Sequence, residues 1–126
     1  MNRVVHFEFA TPEPAKEIDF FRSIFGWKIE QWGDQEYWLV TTGEDEAGID
    51  GAIMPQQMPD QPRVVDTIGV ESIDDTIARA TAAGATLAME KMEIPTMGWT
   101  AYLISPTGFM FGLFETMTES AGQPST

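Results

Sequence analysis

The chain has no cysteine among its 126 residues. Disulfides, iron–sulfur clusters, thiolate zinc sites and cysteine nucleophiles are thereby excluded. It has a single histidine, His6, so no site built from several imidazoles can form within one chain. No run of about 18 apolar residues occurs, so no helical membrane span is expected. The N-terminus, MNRVVHFEF, lacks the apolar core and small-residue cleavage site of a signal peptide. The expected location is therefore the cytoplasm. Basic residues are scarce: seven Lys and Arg stand against twenty Asp and Glu, for a net charge of −13. Nucleic acid is an unsuitable partner, because phosphate recognition needs cations. No phosphate-cradling Gly-x-Gly-x-x-Gly, P-loop or nucleophile elbow is present.

What the chain does contain is a repeated pattern. VVHFEFA (Val4 to Ala10) has strand composition, with His6, Glu8 and Ala10 on one face and Val5, Phe7 and Phe9 on the other. AKEIDFFRSIF follows with apolar residues near helical spacing and ends at Gly26. WKIEQW, EYWLVTTG and GIDGAIM then read as three strands. The second half repeats this order. VVDTIGVE is a strand. Ser72 and Asp75 resemble a capping box before DDTIARATAAG, which stops at Gly84. ATLAMEKMEI, GWTAYLISPTG and FMFGLFE are three further strands.

The two halves align as β-α-β-β-β. WLVTTG answers YLISPTG, pairing Trp38 with Tyr102. DGAIM answers FGLFE, pairing Gly51 with Gly112. A repeat of this kind means two copies of one supersecondary unit. The expected fold class is α+β, in one domain over residues 1–118. Module one covers 3–54, a Pro/Gln-rich linker 55–63 and module two 64–115; residues 119–126 form a polar, flexible tail.

The β1 histidine in VVHFEF, FFRSIFGWK after the first helix, AAGA after the second and the closing SPTGFMFGLFE together resemble the vicinal oxygen chelate superfamily. That superfamily includes glyoxalase I, extradiol dioxygenases and fosfomycin- and bleomycin-resistance proteins. The resemblance covers about residues 3–115. It implies tandem βαβββ modules whose curled mixed sheet surrounds a cavity, and it implies a homodimer. It further implies a divalent metal held from the first and fourth strands of each module. Of those four positions only His6 carries a metal-binding side chain; Val65, Gly51 and Gly112 occupy the others. His6 and Glu8 share a face, but two ligands are few where catalytic zinc generally has three. Glu115 lies an odd number of residues beyond Gly112, hence on the opposite face of a regular strand.

Glycine within an apolar strand invites two readings. Gly51 and Gly112 either leave room for an organic ligand or mark a close approach that only glycine permits. The candidate catalytic residues are His6, whose imidazole titrates near neutrality, and Glu8, a carboxylate suited to act as a base. The candidate ligand-binding residues are Trp38, Gly51, Tyr102 and Gly112, because aromatic side chains line small-molecule pockets. No metal ligand set is assigned, and the one cofactor left open is a divalent metal. The leading expectation is a small-molecule-binding protein without the usual metal site. The alternatives are a divalent-metal-dependent lyase, isomerase or dioxygenase of glyoxalase type, and a non-catalytic dimeric interaction module. The acidic run GEDEAGID lacks the spacing of a calcium loop and reads as a solvated turn.

Overall fold

The computed structural model describes residues 1–117; the expected tail over 119–126 lies outside them. It contains ten elements in the order β-α-β-β-β twice over. The chain divides into two compact units, one of Val5–Asp66 and the other of Met1–Val4 with the chain from Thr67 onward.

In the first unit, β1 (Arg3–Thr11) leads into α1 (Pro14–Phe25), followed by β2 (Lys28–Gln31), β3 (Trp38–Thr41) and β4 (Asp50–Pro55). Pro14 opens the helix, where its missing N–H costs nothing and its fixed φ suits the first turn. No side chain caps this terminus directly. Instead the Thr11 hydroxyl accepts from the Glu13 N–H at 3.1 Å and donates to the Glu17 carboxylate at 2.8 Å. Gly26 closes the helix in a left-handed conformation, its N–H bonded to the Arg22 carbonyl. The strands run β2-β3-β4-β1. The β1–β4 pair is parallel and the others are antiparallel, so the sheet is mixed. The parallel pair is possible because a helical crossover separates its strands in sequence. Its register sets His6 beside Asp50, Phe7 beside Gly51 and Glu8 beside Ala52.

Side chains at alternate strand positions then divide between two faces. Phe7, Ile29, Val40 and Ile53 meet Ile18 of the helix in the core, with Phe9, Phe21, Trp27, Trp38 and Ile49 packed around them. The rings of Phe21 and Trp27 stack at 5.0 Å and 3°. Val40 and Ile53 are 1% and 0% exposed, which corresponds to roughly 1.5–3 kcal/mol of transfer free energy for each side chain.

β5 (Val64–Gly69) enters the second unit at Thr67 and is followed there by α2 (Ile73–Ala82), β6 (Thr86–Ile94), β7 (Gly98–Ile104) and β8 (Met110–Thr116). The strand order is β5-β8-β7-β6, with β5–β8 parallel and the rest antiparallel. The expected cap is present: the Ser72 hydroxyl accepts from the Asp75 N–H at 3.2 Å. Fewer aromatic rings surround this core than that of the first unit. Val70, Ile73, Ala101, Leu103 and Leu113 are buried, with Ile68, Ile77, Trp99 and Phe111 against them. The acidic segment between β3 and β4 is an exposed turn, pinned by the Thr42 N–H donating to Asp50 Oδ1 at 2.8 Å.

Candidate functional site

On β1 the core takes Phe7 and Phe9, so His6 and Glu8 project from the opposite face of the sheet. The residue before β3, Tyr37, reaches the same place. Its hydroxyl donates to Glu8 Oε2 at 2.9 Å and lies 3.2 Å from His6 Nε2. The imidazole and the carboxylate are themselves 3.9 Å apart. A tyrosine hydroxyl therefore bridges the two candidate acid–base groups. The His6 side chain is 29% exposed and that of Glu8 10%, so the carboxylate is the deeper member. Burial of the imidazole pulls the His6 pKa below its ordinary 6.5, while the Glu8 and Asp50 carboxylates oppose that shift. Trp32 packs its ring against Tyr37 edge-on at 6.1 Å.

Trp38 is not part of this group. It pairs with Ile53 and packs into the core beneath α1. Adjacent strand residues face opposite ways, so Tyr37 takes the position on the polar side. The spacing-based match of Trp38 with Tyr102 is thus one residue out. Tyr102 pairs with Gly112 on the face of β7 and β8 away from Ala101, Leu103 and Leu113. The match of Gly51 with Gly112 shifts in the same way. Gly51 pairs with Phe7 on the core side, whereas Gly112 pairs with Thr67. An offset of one residue exchanges every side chain between faces. Alternation around Val40 could have placed Trp38, since a strand that buries Val40 must turn Trp38 the same way.

Both glycines lie at close approaches. A Cβ on Gly51 would overlap the Phe7 carbonyl oxygen and sit 2.5 Å from the Phe7 ring. A Cβ on Gly112 would sit 2.8 Å from Thr67 Oγ1 and 3.3 Å from Tyr102 Cε1. The space a side chain would need is filled by the protein itself.

The donor set does not fit the superfamily's metal site. His6 and Glu8 are joined through Tyr37, and Asp50 accepts from the backbone and hydroxyl of Thr42. In the second unit, the positions around Gly112 offer Thr67 and Tyr102. Glu115 is turned to the helix side, where its Oε1 accepts from the Ile73 N–H at 2.9 Å. Among the described residues no group of three or more His, Cys, Asp or Glu is placed to hold a metal ion. No helix there is long and apolar enough to cross a membrane.

Two βαβββ units, each with a mixed sheet closed by a parallel first and fourth strand, define the vicinal oxygen chelate superfamily. More narrowly, residues 6–114 match the Glyoxalase-like domain, and the chain belongs to that family. It is 29% identical over 112 residues to the Mycobacterium bovis protein named "Putative glyoxylase CFP32", with 86% of this chain aligned. The alignment takes in 42% of that protein, so the chain spans less than half the length of this curated relative. A glyoxalase/bleomycin resistance protein/dioxygenase superfamily member from Vibrio splendidus has the same fold, with a TM-score of 0.66 and 21% identity over 92% of this chain and 99% of that one. The Mn(II)-bound glyoxalase of Novosphingobium aromaticivorans shares the fold at a TM-score of 0.62 and 21% identity, over 90% of this chain and 38% of that one.

Proposed function

We propose that the protein binds a small, partly apolar organic molecule at the sheet face carrying His6, Tyr37 and Glu8, and that these residues exchange protons with it without a metal. The observation that carries this reading is the hydrogen-bonded chain from imidazole through phenol to carboxylate. It joins a group that titrates near neutrality to a deeper carboxylate, the combination that general acid–base chemistry uses.

The relatives named for glyoxalase activity favour a second reading, in which the protein is a metal-dependent enzyme of that type. Elemental analysis separates the two. Untagged protein is incubated with manganese, iron(II), nickel, cobalt or zinc and then extensively desalted. Retention well below one equivalent per chain, with stabilisation by organic compounds in a metabolite thermal-shift screen, is expected. About one equivalent per chain, lost in His6→Ala, would replace the first reading by the second.

A further inference from the structure

We infer that Tyr37 is a positioning residue that fixes the tautomer of His6, placing the proton on Nε2 and leaving Nδ1 as the atom that accepts a proton from the ligand. The inference rests on the acid–base reading of this site. A phenol has one O–H, and in this structure it points to Glu8 Oε2 at 2.9 Å. With that hydrogen directed to Glu8, the oxygen of Tyr37 can meet His6 Nε2, at 3.2 Å, only as an acceptor. A nitrogen that meets an acceptor must carry the hydrogen. Neutral imidazole has one N–H, so Nδ1 keeps its lone pair. Among the described residues none donates to Nδ1, and the ring is partly exposed.

The same chain supports the proton once it has moved. When a ligand X–H gives its proton to Nδ1, the ligand keeps the bonding electron pair and the ring becomes a cation. The positive charge is then shared with Nε2–H, which already points at the phenol oxygen. The phenol in turn is polarised by the Glu8 carboxylate, so the cation is stabilised through a bonded path as well as by Coulomb attraction over 3.9 Å. Return of the proton to the ligand restores the resting chain, and no oxidant, reductant or other reactant is needed.

This role is distinct from packing. Removal of the Tyr37 hydroxyl leaves the aromatic ring in place against Trp32 but removes the acceptor that selects the tautomer. Substitution of Glu8 by glutamine keeps an acceptor oxygen for the phenol and removes the charge. The two variants therefore separate tautomer control from charge stabilisation.

His6 is the only histidine, so a nitrogen-15 spectrum of labelled full-length protein contains one imidazole and needs no assignment by mutation. At a pH above the His6 titration, the wild type is expected to show a protonated Nε2 and an unprotonated Nδ1. In Tyr37→Phe the two resonances should move toward each other, as both tautomers become populated. In Glu8→Gln they should stay near their wild-type positions. A wild type protonated at Nδ1, or a folded Tyr37→Phe with unchanged imidazole shifts, would overturn the inference. Because the measurement uses no ligand, its failure is distinguishable from a failure of the ligand-binding reading, which the thermal-shift screen tests separately. Amide dispersion in the same samples establishes that each variant is folded. Should Tyr37→Phe not fold, Tyr37→Trp serves instead, since it also removes the hydroxyl while retaining a ring.

Discussion

The two modules follow one plan and use it differently. In the first, β1 carries His6 and Glu8 on the face away from the helix, and Tyr37 joins them. In the second, the β5–β8 pair offers Thr67 and Gly112 with Tyr102 beside them, and none of these is charged near neutral pH. The carboxylate that follows on β8, Glu115, serves the helix instead of the open face. The helices differ too. The N-terminus of α2 is bonded by both Ser72 and Glu115, while α1 begins on Pro14 and has no direct side-chain cap. Duplicated architecture thus places a histidine and a carboxylate on the open face of one module and hydroxyl side chains on that of the other. A shared fold does not distribute function evenly, because function depends on the particular side chains at a few positions.

The largest effect that would sharpen this comparison is expected at the glycines, which differ in what crowds them. At Gly51 the obstruction includes a backbone carbonyl, which cannot rotate away. Gly51→Ala should lower stability by about 3 kcal/mol or more, at the upper end of overpacking costs, measured as the midpoint of chemical denaturation. At Gly112 the nearest atoms belong to the side chains of Thr67 and Tyr102. Gly112→Ala should cost about 1–2 kcal/mol, and Thr67→Ser in the same chain should not recover it, because the hydroxyl that obstructs remains. Equal losses at the two positions would break the distinction drawn between them.

The capping contrast predicts a smaller effect. Glu115→Ala removes an acceptor from the first turn of α2 and should cost about 1 kcal/mol. Glu115→Gln should retain most of the bond and lose only the charge interaction with the helix terminus. A Glu115→Ala protein as stable as the wild type in urea titration would remove Glu115 from the account of α2.

Much of the fold was legible from the chain. Strand alternation in VVHFEFA, the near-helical spacing of Ile18, Phe21, Ile24 and Phe25, and the Ser72 cap each encode local geometry, and local geometry is what short patterns report. The sequence also placed His6 and Glu8 on one face, since residues two apart in a strand must share it. What it did not yield was the third member. Tyr37 is distant in sequence from both partners, and its role depends on register between strands, which counting between glycines set one residue wrong. That single offset moved attention from Tyr37 to Trp38 and made Gly51 the counterpart of Gly112. The reason both glycines are needed was also unreadable, because the groups that crowd them, Phe7, Thr67 and Tyr102, come from other strands.

The smallest expected effect concerns the pH dependence that His6 gives to one module and no histidine gives to the other. Burial lowers the His6 pKa, and Glu8 and Asp50 counter part of that shift without reversing it. Its sign is nevertheless defined. Well above pH 6.5 the imidazole is neutral in the folded and unfolded chains alike, and the full stability is present. As the pH falls below about 6.5, the unfolded chain binds a proton before the folded one does. Stability must then decline with falling pH and level off once the pH is below the folded pKa. His6→Gln should flatten the slope of stability against pH in that window relative to wild type, measured by urea denaturation at closely spaced pH values. The acidic side chains titrate in both proteins, so the difference between the two curves isolates the imidazole. A steeper slope in the variant would mean that the carboxylates outweigh burial and hold the folded imidazole charged. The neutral imidazole on which the hydrogen-bond chain depends would then be disfavoured by folding instead of favoured.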